Sequence, residues 1–270
     1  MKRFFCITLA ALMLLTLISG CGEKKNEEGA DALIVAMELA YPPFEAKDNN
    51  GDPAGVSIDI ARAFGEYLGR EVIIENTAWE GLIPSLQAGK ADMVISSMTI
   101  TDARRETVDF SDPYANAILA LLVNINSGVE SIDDLNAAGM KIAVKTGSTG
   151  HTYAEKNLPE AELVPLADES ACVLEVSQGK ADAFIYDQLT IYRNWQSNLT
   201  TTNAVFIPFQ NAEQWGAAFQ KGNTELVNQF NAFLKEYRAN GGFDEVTEKY
   251  LSAEKNSFDE LDFLWFFDLQ

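Results

Sequence analysis

This chain is poor in the residues that metal sites and most nucleophilic enzymes require. It has three cysteines, at positions 6, 21 and 172, and one histidine, His151. A zinc site built from several His and Cys is therefore excluded, and Ser-His or Cys-His catalysis has a single candidate base. Basic residues are also scarce: 20 Lys and Arg stand against 40 Asp and Glu, for a net charge of −20 at neutral pH. So acidic a surface is repelled by phosphate backbones and anionic headgroups, which argues against a nucleic-acid partner and against a polybasic membrane-binding face. After the first 20 residues there is no long apolar run, so no later segment is expected to span a bilayer.

The N-terminus carries a signal. Lys2 and Arg3 precede an apolar run at residues 4–18, which is shorter than the ~20 residues of a spanning helix. Ile18-Ser-Gly-Cys21 follows, and it resembles a bacterial lipobox. The resemblance implies cleavage before Cys21, a diacylglyceryl group on its thiol, and an extracytoplasmic body tethered to a membrane. Loss of Lys2 and Arg3 with the signal makes the mature chain more acidic by two charges. Cys6 leaves with the signal, so Cys172 stands alone and no intrachain disulfide is possible. With Val173 and Leu174 beside it, Cys172 reads as a small buried hydrophobe. Residues 21–30 are polar and aperiodic and read as a flexible tether. The remaining 240 or so residues suffice for one large domain or two lobes.

Within that body, strands alternate with helices. Apolar runs at 33–37, 93–95 and 181–186 read as buried strands, with further strands at 71–75 and 141–144. Helices are expected from a Ser57 cap to Leu68, at 80–88, from a Thr101 cap to Glu106, at 168–178, at 187–197 and at 224–240, the last ended by Gly241-Gly242. Tyr41-Pro-Pro-Phe44 can continue neither element and forms an extended loop. Such alternation means βαβ units in an α/β fold. The halves also rhyme: Gln87-Ala-Gly-Lys-Ala-Asp-Met-Val-Ile95 parallels Gln178-Gly-Lys-Ala-Asp-Ala-Phe-Ile185, which favours two similar lobes over one continuous sheet. Ligands of open α/β sheets bind beyond the carboxyl ends of the strands, where two such lobes would face each other.

Two loops at strand ends carry candidate chemistry. Ser96-Ser-Met-Thr-Ile-Thr101 leads into a helix bearing Arg104, placing hydroxyls, unpaired backbone N–H groups and a bidentate guanidinium together. This suits a small anion such as a carboxylate; a capped helix with a surface arginine is the equally available bland reading. Lys145-Thr-Gly-Ser-Thr-Gly150 permits close backbone approach to a ligand but lacks the P-loop pattern. Asp187, after the 181–186 strand, is suited either to pairing with a cation or to capping the next helix.

These motifs, in this order, resemble the family-3 solute-binding proteins, the periplasmic amino-acid-binding components of ABC importers. The resemblance covers about residues 33–251 and rests on Tyr41-Pro-Pro-Phe-Glu45, Asp59-Ile-Ala61, Trp79-Glu-Gly-Leu-Ile-Pro-Ser-Leu86, Gly89-Lys-Ala-Asp92, Ser97-Met-Thr-Ile-Thr101, Phe110-Ser-Asp-Pro-Tyr114, Ala181-Asp-Ala-Phe-Ile-Tyr-Asp187 and Gly241-Gly-Phe-Asp-Glu-Val-Thr-Glu-Lys-Tyr250. It implies a two-lobed type II periplasmic-binding-protein fold with two hinge strands and the ligand in the cleft. Lobe 1 would take residues 31–118 plus 212–254 and lobe 2 residues 119–211, with hinges at 117–124 and 207–214.

The same resemblance assigns roles. Arg104 would clamp the ligand α-carboxylate and Asp187 would pair with the α-ammonium. Ser97, Thr99 and the Thr149 backbone supply further contacts to these groups, Tyr41 and Trp79 wall the side-chain pocket, and Glu38 reaches a polar or basic side chain. No cofactor, metal or catalytic residue is implied; the partners are an α-amino acid and a membrane permease, with a monomeric receptor. Enzymes of the cyclohexadienyl dehydratase type share the fold, and for that alternative Glu38, Glu45 and His151 are the candidate acids. A signalling receptor or adhesin is the third class. Residues 255–270 depart from the family; this acidic and aromatic tail is expected to pack as a last helix on lobe 1, with docking on a partner as the alternative.

Overall fold

The structure is a computed structural model that describes residues 32–206 and 208–269. The signal, Cys21, the tether and Ile207 of the expected second hinge lie outside the described residues. In chain order the strands are β1 (Leu33–Met37), β2 (Ala46–Lys47), β3 (Pro53–Ala54), β4 (Val72–Asn76), β5 (Met93–Val94), β6 (Val108–Phe110), β7 (Ala115–Ala117), β8 (Leu119–Asn124), β9 (Lys141–Lys145), β10 (Glu162–Leu166), β11 (Ala183–Asp187), β12 (Thr202–Val205), β13 (Glu213–Trp215) and β14 (Ala218–Gln220).

Two five-stranded sheets organise two lobes, in the orders β4-β1-β5-β14-β6 and β10-β9-β11-β8-β12. In each, a first strand lies between two parallel neighbours: β1 between β4 and β5, β9 between β10 and β11. In each, one antiparallel strand then enters beside the third: β14 next to β5, β8 next to β11. Both entering strands come directly from a crossing strand, since β8 follows β7 and β14 follows β13. β7 and β13 pair antiparallel with each other (Ala115 with Trp215, Ala117 with Glu213) and join the lobes. The crossing is thus shorter than the expected 117–124 span, because residues 119–124 are fully buried as a strand of the second sheet.

The rhyming Gly-Lys-Ala-Asp segments do one job twice. Asp92 accepts from the Ile34 N–H at 2.9 Å and donates its own N–H to the Ile34 carbonyl at 2.8 Å. Asp182 accepts from Lys141 N–H at 2.7 Å and donates to the Lys141 carbonyl at 2.8 Å. Each aspartate locks the entry of its third strand to the start of the first.

Three helix boundaries differ from expectation, each for a local reason. The first helix is Val56–Leu68, with Gly55 rather than Ser57 at its N-cap. Gly55 has φ 132°, and a Cβ there would sit 2.4 Å from the Phe44 carbonyl, so only glycine fits. Expected at 80–88, the next helix runs from Leu82 to Gln87 after a 3-10 turn at Trp79–Gly81. Had it begun at Glu80, Pro84 would owe an N–H to the Glu80 carbonyl; beginning at Leu82 puts the proline in the first turn, where none is needed. Gly241 ends the Thr224–Ala239 helix in the left-handed region, but Gly242 opens another helix, Gly242–Tyr250.

The tail also corrects the sequence reading. Only Ser252–Glu260 is helical; Asp262 adopts φ 55° and the chain then runs irregularly. Trp265, Phe266 and Phe267 are buried in the core of the first lobe, where Phe266 packs on Phe44 and Trp215 at 5.1 and 5.7 Å between ring centroids. Successive large aromatics cannot all face one core from a single helix; an irregular segment lets neighbours turn to the same side. The tail is not confined to lobe 1. Asn116 of β7 donates to the Phe266 carbonyl at 2.6 Å, Gln188 donates to the Leu264 carbonyl at 2.9 Å, and Phe263 lies 4.7 Å from Phe206. It therefore touches a crossing strand and both lobes.

Among the described residues no helix is long and apolar enough to cross a membrane. Cys172 is buried on the second lobe, and burial pushes its thiol up to about 12, which makes it inert.

Candidate functional site

All eight side chains singled out in the sequence line one cleft between the lobes, a narrow cavity of about 40 Å3. Glu38 and Tyr41 come from just beyond β1, and Trp79 from the turn after β4. Ser97 and Thr99 follow β5, and the segment is held to the crossing strand by a bridge between Thr99 and Trp215. Thr101 caps the Asp102–Arg105 helix by accepting from the Arg104 N–H at 3.2 Å. Thr149 opens the Thr149–Asn157 helix behind its Ser148 cap, and Asp187 ends β11.

The Arg104 guanidinium is aimed across the cleft. Nη1 donates to the Thr99 carbonyl at 2.7 Å and Nη2 to the Gly147 carbonyl of the opposite lobe at 3.1 Å. Its carbon lies 5.2 Å from the Trp79 ring centroid. Burial pulls its pKa down and the charge of Glu213 pulls it back up. Of the two roles left open for Asp187, the structure shows the cap. Its Oδ1 caps the Gln188–Ser197 helix by accepting from the Leu189 and Thr190 N–H groups at 3.0 and 3.1 Å, and it also accepts from the Tyr41 hydroxyl at 2.7 Å. Burial pushes its carboxyl upward.

Three ionisable groups in or next to the cleft were not recognised from the sequence: Glu213 lines it, and Lys145 and Glu169 neighbour residues that do. Lys145, at the end of β9, forms an ion pair with Glu38 across the lobes; the two side chains are 2 and 12 % exposed. Its Nζ lies 5.4 Å from the Trp79 ring centroid and 6.0 Å from that of Tyr186. Glu213, on β13, accepts at one oxygen from Thr99 at 2.9 Å and Thr149 at 2.8 Å, and at the other from Gln210 at 2.8 Å. Glu169 has an enclosed Oε2 without a hydrogen-bond partner, and it lies within electrostatic reach of Lys145 and Asp187. A lysine closing the apolar run 142–144 was the one visible signal, because a strand end that carries charge either meets solvent or meets a partner.

Of the candidate acids for an enzyme, His151 does not line the cleft; it accepts from the Gly147 N–H at 3.2 Å and so shapes the glycine turn. Glu45 does line it, 1 % exposed, and accepts from Ser57 at 2.6 Å and Ser97 at 3.2 Å. Burial pushes Glu45 up to about 8, against the lowering effect of those two bonds, and pushes Glu169 up to about 8 against the charge of Lys145. Both acids therefore keep a proton in the fold that the unfolded chain releases near 4.5. Between those values the folded state binds more protons, so stability falls as pH rises, by up to about 1.4 kcal/mol per pH unit for each group. Melting temperature is expected to decline from pH 5 to 8, and Glu45→Gln to flatten that decline in a thermal-denaturation series. An unchanged slope in the variant would remove Glu45 from the account.

The profile of the family described as bacterial extracellular solute-binding proteins, family 3, matches residues 33–253. An L-arginine-binding protein of Pseudomonas aeruginosa is 30% identical over 94% of this chain and 98% of its own length. The ABC transporter glutamine-binding protein GlnH of Bacillus subtilis is 29% identical over 94% of this chain and 99% of its own. Among solved structures, an ancestral arginine-binding protein bound to glutamine superposes with a TM-score of 0.75 at 35% identity, covering 82% of this chain and 98% of that one. With a matching profile over most of its length and two lobes around one charged cleft, this chain belongs to the family-3 extracellular solute-binding proteins.

Proposed function

We propose that the protein is the receptor of an ABC importer, that it captures a polar α-amino acid, and that its preferred ligand has an uncharged amide side chain, glutamine first. The observation that carries this reading is the buried ion pair of Lys145 with Glu38, a residue that lines the cleft together with Arg104 and Asp187. The α-carboxylate would take the Arg104 fork, helped by the Thr149 backbone N–H, and the α-ammonium would take Asp187 and Ser97. The side chain would pass between Tyr41, Trp79 and Tyr186. An amide would then give its carbonyl oxygen to Lys145 and its N–H to Glu38. A cationic side chain would have to displace Lys145 from its acid, leaving a buried charge unpaired.

Ligand contacts come from both lobes, so binding would favour the closed form, with β7 and β13 as the pivot between residues 31–118 plus 212–254 and residues 119–211. The closed form is what a permease would recognise. A lipid on Cys21 would hold the monomeric receptor at the outer face of the membrane. Support comes from the family membership and from relatives named for amino acids, arginine and glutamine among them.

A thermal-shift screen of the chain from Asp31 onward against the twenty amino acids tests the reading. Stabilisation of about 4 kcal/mol is expected from millimolar ligand at micromolar affinity, largest for glutamine. Absence of any shift with an α-amino acid would overturn it. Lys145→Met should free Glu38 and reorder the ranking toward arginine and lysine by about tenfold or more in calorimetric affinity; an unaltered order would sink the amide assignment.

A further inference from the structure

We propose that Glu45 is a positioning residue for the ligand ammonium, acting through Ser97, whose hydroxyl donates a hydrogen bond to its Oε2, the unprotonated oxygen of the carboxyl, so that the serine oxygen faces the cleft as an acceptor. The inference rests on the reading of the cleft as an α-amino-acid site.

Ser97 is held in an unusual conformation. Its φ of 48° lies in the left-handed region, which among the described non-glycine residues it shares only with Asp262. A serine persists there only when its surroundings hold it. Ser97 Oγ donates to Glu45, whose Oε2 accepts it at 3.2 Å and Ser57 Oγ at 2.6 Å. Ser57 is itself fixed in the second position of the Val56–Leu68 helix and fully buried. The carboxyl is thus anchored on the core side and reaches Ser97 on the cleft side.

A hydroxyl has one proton and two lone pairs. With the proton committed to Glu45, Ser97 can only accept from a ligand. That places it with the α-ammonium and Asp187 rather than with the α-carboxylate and Arg104, between which the family resemblance left it undivided. Glu45 reaches the same half of the cleft a second way. Its N–H donates to the Tyr41 carbonyl at 2.9 Å and its carbonyl accepts from the Tyr41 N–H at 2.8 Å, closing the loop whose Tyr41 hydroxyl donates to Asp187 at 2.7 Å. One buried residue therefore sets two neighbours of the ammonium position without needing to touch the ligand.

The test is a double-mutant cycle read by calorimetry, with the amino acid that gives the largest thermal shift as probe, glutamine in the expected case. Glu45→Ala should weaken binding about tenfold or more, while Glu45→Gln, which keeps a neutral acceptor, should stay within about threefold of wild type. In a Ser97→Ala background the Glu45→Ala loss should shrink below about threefold, since its route to the ligand is gone. A Glu45→Ala loss that persists undiminished beside Ser97→Ala, a Gln variant as weak as the Ala variant, or an Ala variant with wild-type affinity would each overturn the proposal. If Glu45→Ala does not fold, Glu45→Met fills the site without an acceptor and carries the same outcomes. A wild-type chain that binds no α-amino acid overturns the cleft assignment instead, which keeps the two failures apart.

Discussion

Replacing Arg104 with alanine is expected to abolish measurable binding of every α-amino acid, whatever its side chain. Under the proposed function its guanidinium is the fork that takes the carboxylate; it is half-buried where the lobes meet, bonded to Thr99 and Gly147, and lies over Trp79. Two charge-assisted bonds at about 1.5–3 kcal/mol each correspond to a loss of roughly a hundredfold to more than ten-thousandfold. Lysine should recover little, because a point charge cannot reproduce two parallel N–H donors in a fixed plane. The melting temperature of the ligand-free variant should change far less than its affinity, since Arg104 bonds only two carbonyls in the free protein. Calorimetric titration separates these. Wild-type affinity in the alanine variant would move the carboxylate clamp elsewhere in the cleft.

Truncation after Glu260 is expected to be the most damaging change outside the cleft. It removes Trp265, Phe266 and Phe267, which are 4, 0 and 7 % exposed, and uncovers Phe44, Trp215 and Phe258 beneath them. Three aromatic side chains at about 1.5–3 kcal/mol each amount to at least about 5 kcal/mol, a large share of the stability of an ordinary domain. The carbonyl partners of Asn116, Gln188 and Arg238 go with them. A drop in melting temperature of roughly 10–20 °C follows for a body of this size. An unchanged denaturation curve would show that the tail merely rests on the surface.

Much of this arrangement was legible in the sequence. Apolar runs marked β1, β5 and β11, and the repeated Gly-Lys-Ala-Asp marked the same junction in both lobes, because a strand buried on both faces and a left-handed helix stop each demand particular residues. Ser97, Thr99, Arg104 and Asp187 were legible from their places at strand ends, whereas Glu38, Tyr41, Trp79 and the role of Thr149 came from the family resemblance. What escaped were contacts made only when the lobes meet. Nothing beside Lys145 in the chain points to Glu38, which lies on the other lobe. Glu213 gains its meaning from Thr99 and Thr149, one from each lobe. The tail was half legible: polar periodicity gives the helix, but no local pattern tells an irregular aromatic segment where its core is.

The strand order has a consequence for the order of events at the ribosome. Every strand of the second sheet lies in the continuous stretch from β8 to β12, so that sheet has all its parts once Val205 has been made. The first sheet does not. β14 lies between β5 and β6, so β6 has no neighbour in that sheet until the chain has passed through the whole of the inserted lobe and returned. The aromatic seal on its core arrives later still, in the final residues. The first lobe, although it precedes the second in the chain, is the last part that can be finished, and a nascent chain lacking only its end still has one lobe it cannot close.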